Sequence, residues 1–175
     1  MPSHHRVPFP ACQGDEPYAF VSYAHSDSDV VFREITLFHK MGYPIWYDEG
    51  INPGNEWPEE VAQALDLCTL FVVFISPKAV ESRNVRNEIN FALNNKKPFL
   101  AIHLRETKLP AGLELRMGDI QAVLKYATSD DRYRRLVERT LAGNLGSGQP
   151  RATIESSSEI KPPEDEDDEV DFGVL

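Results

Sequence analysis

The stretch Leu70-Phe71-Val72-Val73-Phe74-Ile75 decides the fold of this chain. It contains six apolar residues in succession and leaves no polar residue on either face of an extended backbone. Such a run is typical of a central strand in a parallel sheet, because helices cover both faces of a parallel sheet and bury its strands on both sides. The stretch therefore predicts a buried β-strand in the middle of a sheet.

The segments on both sides of this strand alternate between extended and helical patterns. The other predicted strands span residues 18–23, 44–47, 99–102 and 120–124. The predicted helices begin near residues 28, 58, 82 and 130, and the first ends near residue 41 and the last near residue 141. Strands that alternate with helices in this way form an α/β fold. We therefore predict a five-stranded, doubly wound parallel sheet.

The helix that follows the central strand contains Val85-Arg86-Asn87-Glu88-Ile89-Asn90-Phe91-Ala92-Leu93 and carries a carboxylate beside its apolar stripe. Helical periodicity stacks Val85, Ile89 and Ala92 on one face and places Glu88 about 60° from Val85. Asn84 lies one turn earlier on the same border. A half-buried carboxylate beside a cleft can be adapted to catalysis, whereas the simpler interpretation is a solvated helix glutamate.

Composition and charge exclude several classes of protein. The formal net charge is −10, and residues 146–175 contribute −7 of it with nine acidic and two basic side chains. An acidic chain without a basic face argues against a nucleic-acid binder. Cys12 and Cys68 belong to no CxxC pattern or Cys/His cluster, so we expect neither a disulfide framework nor a metal site. We see no signal peptide and no apolar run of about 18 residues, so we expect a cytoplasmic protein without a membrane span.

Three regions differ in composition along the chain. Residues 1–16 are rich in Pro and His, lack periodicity, and predict a flexible lead. Residues 17–142 contain all the predicted strands and helices and form the folded domain. Residues 143–175 predict a disordered acidic tail, because the run at 162–169 cannot bury enough apolar surface to fold. The apolar residues among 170–175 leave a docking peptide as the alternative interpretation of this tail.

The fold class also predicts where a ligand would bind. In open α/β sheets, ligands bind beyond the carboxyl ends of the strands, near the point where the strand order reverses. Three loops follow predicted strands there, at residues 23–28, 48–57 and 76–84. None contains a GxGxxG or GxxxxGK[ST] pattern, so no phosphate cradle of these kinds is predicted. No Ser/His or Cys/His dyad is convincing, and His103 is interpreted as structural.

Taken in chain order, these segments resemble the Toll/interleukin-1 receptor (TIR) domains. Residues 21–27 resemble the opening F-I-S-Y-x-x-x-D pattern of that family, and residues 71–76 resemble its third strand. Trp46-Tyr47-Asp48, followed by Ile51, Pro53-Gly54 and Trp57, resembles its second strand and BB loop. Residues 82–93 resemble the helix that carries the catalytic glutamate in the NAD-consuming branch. The resemblance covers residues 17–142, is closest to bacterial-type TIR domains, and implies a flavodoxin-like fold.

The resemblance implies an NAD+ nucleosidase in immune, defence or cell-death signalling, with NAD+ as the substrate and no cofactor or metal. Cleavage of the bond between nicotinamide and ribose releases a neutral base, so one carboxylate suffices, unlike the pair in ordinary glycosidases. The resemblance assigns the catalytic role to Glu88. The resemblance leaves open whether water or an adenine nitrogen captures the ribosyl cation. The resemblance places seven residues at the substrate: Tyr23, His25, Asp48, Asn52, Trp57, Ser76 and Asn84.

Simpler interpretations of several of these residues stay open. Trp57 could pack the BB loop against the next helix, and Asp48 could close that loop rather than contact a ligand. Asn84 stands where many active relatives carry an aromatic residue, so ring stacking at this position is not expected. The alternative function is a non-enzymatic adaptor that acts through TIR–TIR contacts of the BB loop. For the enzyme, too, the resemblance implies self-association through that loop.

Overall fold

The computed structural model describes residues 6–49 and 59–148. Within them, five parallel strands form one sheet in the order β2-β1-β3-β4-β5. The strands are β1 (Ala19–Ser22), β2 (Ile45–Tyr47), β3 (Leu70–Ile75), β4 (Phe99–His103) and β5 (Ala122–Leu124). The predicted doubly wound parallel sheet is therefore confirmed, and this strand order is the flavodoxin-like one.

Helices connect the strands and cover the sheet. Their bounds are α1 (Ser28–Lys40), α2 (Glu59–Leu67), α3 (Pro77–Glu81), α4 (Arg83–Asn94), α5 (Ala111–Met117) and α6 (Asp130–Leu145). The sequence patterns did not predict α3 and α5, because five and seven residues are too short to show helical periodicity. The last helix continues to Leu145, so residues 143–145 belong to it rather than to the predicted tail.

The core lies on both sides of β3. All six residues of this strand are buried, as its apolar run predicts. Aromatic side chains continue the core across the sheet, because the Phe71 ring stacks on Phe20 at a centroid distance of 5.9 Å and meets Phe99 at 4.8 Å. The packed centre fixes the strands relative to one another, and this positions their carboxyl ends.

The structure differs from the prediction of a flexible lead over residues 9–12. Phe9 and Ala11 are buried, and the Phe9 carbonyl accepts a hydrogen bond from the Tyr47 hydroxyl. The Cys12 amide donates to the Ile45 carbonyl at 2.8 Å, so the segment lies along the outer side of β2. An isolated aromatic residue in a short segment shows no periodicity, and the sequence patterns could not reveal this contact. Residues 1–5 and 149–175 lie outside the described residues.

The strand order reverses between β1 and β3, because the chain moves outward from β1 to β2 and then returns to β3 on the other side. The carboxyl end of β1 is Ser22, which pairs with Val73 of β3. The loops that leave these two strands therefore separate at this point, where α/β sheets bind ligands. None of the helices in the described residues has the length and apolar character that crossing a bilayer requires.

Candidate active site at the strand-order reversal

Helix α4 brings Glu88 to the carboxyl end of β1. Ser82 begins the helix, and its hydroxyl accepts a hydrogen bond from the Val85 amide at 3.4 Å. Val85, Ile89 and Ala92 are buried, which confirms the predicted apolar stripe. Glu88 lies beside the stripe and is only 9% exposed. The carboxylate is therefore more deeply buried than its border position on the helix predicts.

The Glu88 carboxylate meets the last residue of the neighbouring strand. The Ser22 hydroxyl, in a side chain that is 1% exposed, donates a hydrogen bond to Oε2 of Glu88. A buried polar group without a hydrogen-bond partner costs about 1–3 kcal/mol, and a buried charge costs more. The Ser22 hydroxyl therefore stabilises the buried carboxylate. This contact between β1 and α4 is the centre of the candidate site.

Tyr23 and His25, both predicted at the substrate, connect the loop after β1 to the loop after β2. The Tyr23 hydroxyl donates to the Asp48 carbonyl at 2.6 Å, and Nε2 of His25 lies 3.4 Å from Oδ2 of Asp48. The Tyr23 and His25 rings lie 5.4 Å apart, centroid to centroid. The structure therefore brings three of the predicted site residues together at the start of the predicted BB loop.

Ser76 closes the opposite side of the reversal, after β3. It is 1% exposed, and its hydroxyl donates to a carboxylate oxygen of Asp27. The Ser76 hydroxyl oxygen also accepts a hydrogen bond from the Ala79 amide at 3.0 Å. Ser76 thus begins α3 and ties it to the loop after β1. Its buried position distinguishes it from the half-exposed His25, because a side chain so enclosed has little surface to offer a substrate.

Asn84 is exposed on the first turn of α4, one turn before Glu88. It lies at the surface rather than in the buried cluster around Ser22. Asn52 and Trp57 lie outside the described residues, as does most of the predicted BB loop. His103, at the end of β4, is buried, and desolvation lowers its pKa, which is consistent with a neutral structural histidine.

The charges at this edge of the sheet are predominantly negative. The pKa of His25 is raised, first by its hydrogen bond to Asp48 and further by the charges of Asp48 and Glu88, against the opposing effect of burial. Burial raises the pKa of Tyr23, and the charges of Asp48 and Glu88 raise it further. The edge therefore favours a positively charged group and keeps the Tyr23 phenol neutral.

The arrangement offers one buried carboxylate beside an anionic, partly exposed loop edge. Such a site can stabilise positive charge that develops on a bound molecule. Among the described residues, no group of three or more His, Cys, Asp or Glu side chains is arranged to hold a metal ion.

Sequence reasoning did not assign a role to Ser22 or Asp27. Both lie within the stretch that resembles the opening motif of the family, but their partners are 66 and 49 residues away. A serine at the end of a buried strand was a usable indication, since a buried hydroxyl needs a hydrogen-bond partner.

Comparison with known proteins gives matches to one family model and to solved structures. The model of the TIR domain family matches residues 19–137. Among solved structures, the chain is similar to the TIR domain of the Toll-related receptor TRR-2 from the lower metazoan Hydra magnipapillata, with 17% identity and a TM-score of 0.57. That similarity covers 73% of this chain and 96% of the receptor domain, and at this identity it concerns the fold alone. No curated protein matches the chain.

Proposed function

This chain belongs to the TIR domain family, and on that premise we propose that it is an NAD+ nucleosidase with Glu88 as its catalytic residue. The observation that supports the proposal is the position of Glu88: a carboxylate only 9% exposed, at the strand-order reversal where this fold class binds ligands. A buried carboxylate at a ligand-binding edge is a candidate catalytic group, because active sites bury ionisable side chains there. The enzyme would act on the cytoplasmic NAD+ pool in defence or cell-death signalling.

The reaction that we propose breaks the bond between the ribosyl carbon and the nicotinamide nitrogen. Both electrons of the bond go to the nitrogen, so nicotinamide leaves as a neutral base and the ribosyl carbon becomes cationic. The charge of Glu88 would stabilise that cation and orient the ribose hydroxyls. Attack by water then gives ADP-ribose and a proton, and attack by an adenine nitrogen gives a cyclic ADP-ribose.

The electrostatics of the site agree with a cationic substrate group. The hydrogen bond to Asp48, together with the charges of Asp48 and Glu88, raises the pKa of His25, as expected where negative charges surround a group. The pyridinium of NAD+ is positively charged, and these negative charges would attract it. Half of the His25 side chain is exposed beside Asp48 at this edge, whereas the Tyr23 ring is buried.

The direct test is the incubation of purified protein with NAD+ and the measurement of nicotinamide release, alone and with a crowding agent. We expect turnover in the wild-type protein and its loss in Glu88→Gln. Product analysis would distinguish ADP-ribose from a cyclic product. No turnover in the wild-type protein under either condition would exclude the enzymatic function.

TIR domains associate with themselves or with other TIR domains, and we propose that this chain forms an active self-assembly. The BB loop of a neighbouring copy would complete the pocket beside Glu88. Because an assembly is populated only above its dissociation constant, nicotinamide release should rise faster than linearly with protein concentration. Constant specific activity over a wide concentration series would show a self-sufficient monomer instead.

The second candidate function is a non-enzymatic adaptor that acts through TIR–TIR contacts. The exposed Asn84 favours it, because the position one turn before the glutamate carries an aromatic residue in many NAD-cleaving relatives and an amide offers no stacking surface. An adaptor would retain its cellular signalling in Glu88→Ala, whereas the enzyme would lose it.

A further inference from the structure

Ser22 is the polar residue of β1, and its side chain is almost completely enclosed. It is 1% exposed, and its hydroxyl donates to Oε2 of Glu88. A side chain this deeply buried cannot touch a substrate at the sheet edge. Any effect of Ser22 on a reaction must therefore pass through Glu88.

We propose that Ser22 is a positioning residue that holds the Glu88 carboxylate ionised and in its reactive orientation. The inference rests on the proposed NAD+ cleavage for its effect on rate. The hydrogen bond itself favours the carboxylate form of Glu88 whether or not NAD+ is cleaved. Nothing in the resemblance or in the comparisons assigns a role to Ser22.

The fold makes Ser22 a rigid donor. Strand β1 is bonded to β2 on one side and to β3 on the other, and Ser22 pairs with Val73 in the central strand. Glu88, in contrast, has a long side chain with three rotatable bonds, which can adopt many orientations. A donor fixed in the sheet selects one of them, so the carboxylate is preorganised before any ligand binds.

The same hydrogen bond favours the charged form of Glu88. A hydroxyl that donates to a carboxylate stabilises its anion, whereas burial alone disfavours the anion. Glu88 is 9% exposed, so the two effects oppose each other in the folded protein. Tyr23 and His25, in the loop after β1, are among the titratable groups that interact electrostatically with Glu88. Without the Ser22 hydroxyl, the carboxylate form of Glu88 would lose this stabilisation, whereas burial would still disfavour it. Glu88 would then take up a proton at higher pH.

The chain offers a matched control at the other end of the same strand. Tyr18 directly precedes β1, is buried, and donates its hydroxyl to the Ala64 carbonyl at 2.5 Å. Tyr18→Phe therefore removes one buried hydroxyl hydrogen bond next to β1, as Ser22→Ala does within it. This hydrogen bond lies at the amino end of the strand, away from Glu88. Tyr18→Phe therefore measures the effect of losing a buried hydrogen bond without a change at Glu88.

The first experiment compares the pH–rate profiles of wild-type protein, Ser22→Ala, Ser22→Thr and Tyr18→Phe. For Ser22→Ala we expect kcat to fall about tenfold with little change in KM, and the acid limb of the profile to move up by about one pH unit. Ser22→Thr keeps the hydroxyl and should restore the position of the limb. A Ser22→Ala profile that coincides with that of Tyr18→Phe would overturn the proposal.

The second experiment does not need turnover. A titration of 13C-labelled glutamate carboxyl groups by NMR, with the Glu88 resonance identified by its absence in Glu88→Gln, gives the titration midpoint of Glu88 directly. We expect this midpoint to lie higher in Ser22→Ala than in the wild-type protein and Tyr18→Phe. Absence of nicotinamide release in the wild type would reject the proposed function, whereas an unmoved midpoint would reject the role of Ser22.

Discussion

The two ends of the central strands use polar side chains in different ways. At the amino end, hydroxyl and ammonium groups bond to backbone carbonyls: Tyr18 to Ala64, and Lys97 to Asp66 and Cys68. At the carboxyl end, three side chains bond to carboxylates instead: Ser22 to Glu88, Ser76 to Asp27 and His25 to Asp48. Tyr23 differs from them there, because its hydroxyl donates to the backbone carbonyl of Asp48.

The difference indicates that the amino end serves stability and the carboxyl end serves binding or catalysis. A bond to a backbone carbonyl satisfies a group that every sequence carries and therefore serves stability. A bond to a carboxylate sets the orientation and protonation of a chosen side chain, which catalysis or binding requires. The comparison predicts that substitutions at the amino end change the free energy of unfolding, and that substitutions around Glu88 change activity.

The largest expected effect on stability comes from the aromatic core of the sheet. Phe71 of β3 is fully buried and contacts Phe20 and Phe99. Phe71→Ala should lower the free energy of unfolding by about 3–5 kcal/mol, because it removes apolar contacts and leaves a cavity. Chemical denaturation measures this loss, and Phe71→Leu should cost clearly less. Equal costs for the two substitutions would mean that the centre repacks and does not hold the ends in register.

The next effect should be confined to the amino end. Nζ of Lys97 donates to the carbonyls of Asp66 and Cys68, the second at 3.2 Å, and so ties the start of β4 to the end of α2. Lys97→Met keeps most of the aliphatic volume and should cost about 1 kcal/mol, with nicotinamide release per folded molecule unchanged. Thermal melting and nicotinamide release, measured on the same sample, test whether stability falls while activity is retained. A large loss of activity without a loss of stability would break the distinction between the two ends.

The smallest effect concerns the pH dependence at the carboxyl end. The hydrogen bond to Asp48 raises the pKa of His25, so its stabilisation is fully present below the ordinary histidine value of about 6.5 and is lost as pH rises through the higher folded value. His25→Gln should therefore lower the melting temperature more at about pH 5.5 than at about pH 8.5. Half of the side chain is exposed, so solvent screening limits the difference to a few tenths of a kcal/mol. The opposite sign would mean that His25 is neutral in its contact with Asp48.

The sequence predicted the parts of this fold that follow from periodicity. The central strand has the predicted bounds of 70–75, because its apolar run is continuous and its ends are polar or small. The apolar stripe of α4 was likewise predicted from Val85, Ile89 and Ala92. Both patterns are local, because each depends only on which residues of one element are buried.

The contacts that build the candidate site are not local. Glu88 could be placed on the border of its helix, but its partner Ser22 lies 66 residues earlier, and no periodicity connects the two. The buried Phe9, which accepts from Tyr47 across 38 residues, was missed for the same reason. Long-range pairs of this kind depend on the strand order, which one sequence does not specify.

The measurement that tests the central claim most directly compares nicotinamide release and thermal melting in wild-type protein and Glu88→Gln. The substitution keeps the shape and helix propensity of the residue, and its amide oxygen can still accept from Ser22. It removes the charge that faces the ribosyl cation, which should cost about 3–4 kcal/mol, or roughly a hundred- to a thousandfold in rate, while the melting temperature moves little. Cleavage of NAD+ at the wild-type rate by Glu88→Gln, or unfolding of the domain, would contradict the assignment of Glu88 as the catalytic carboxylate.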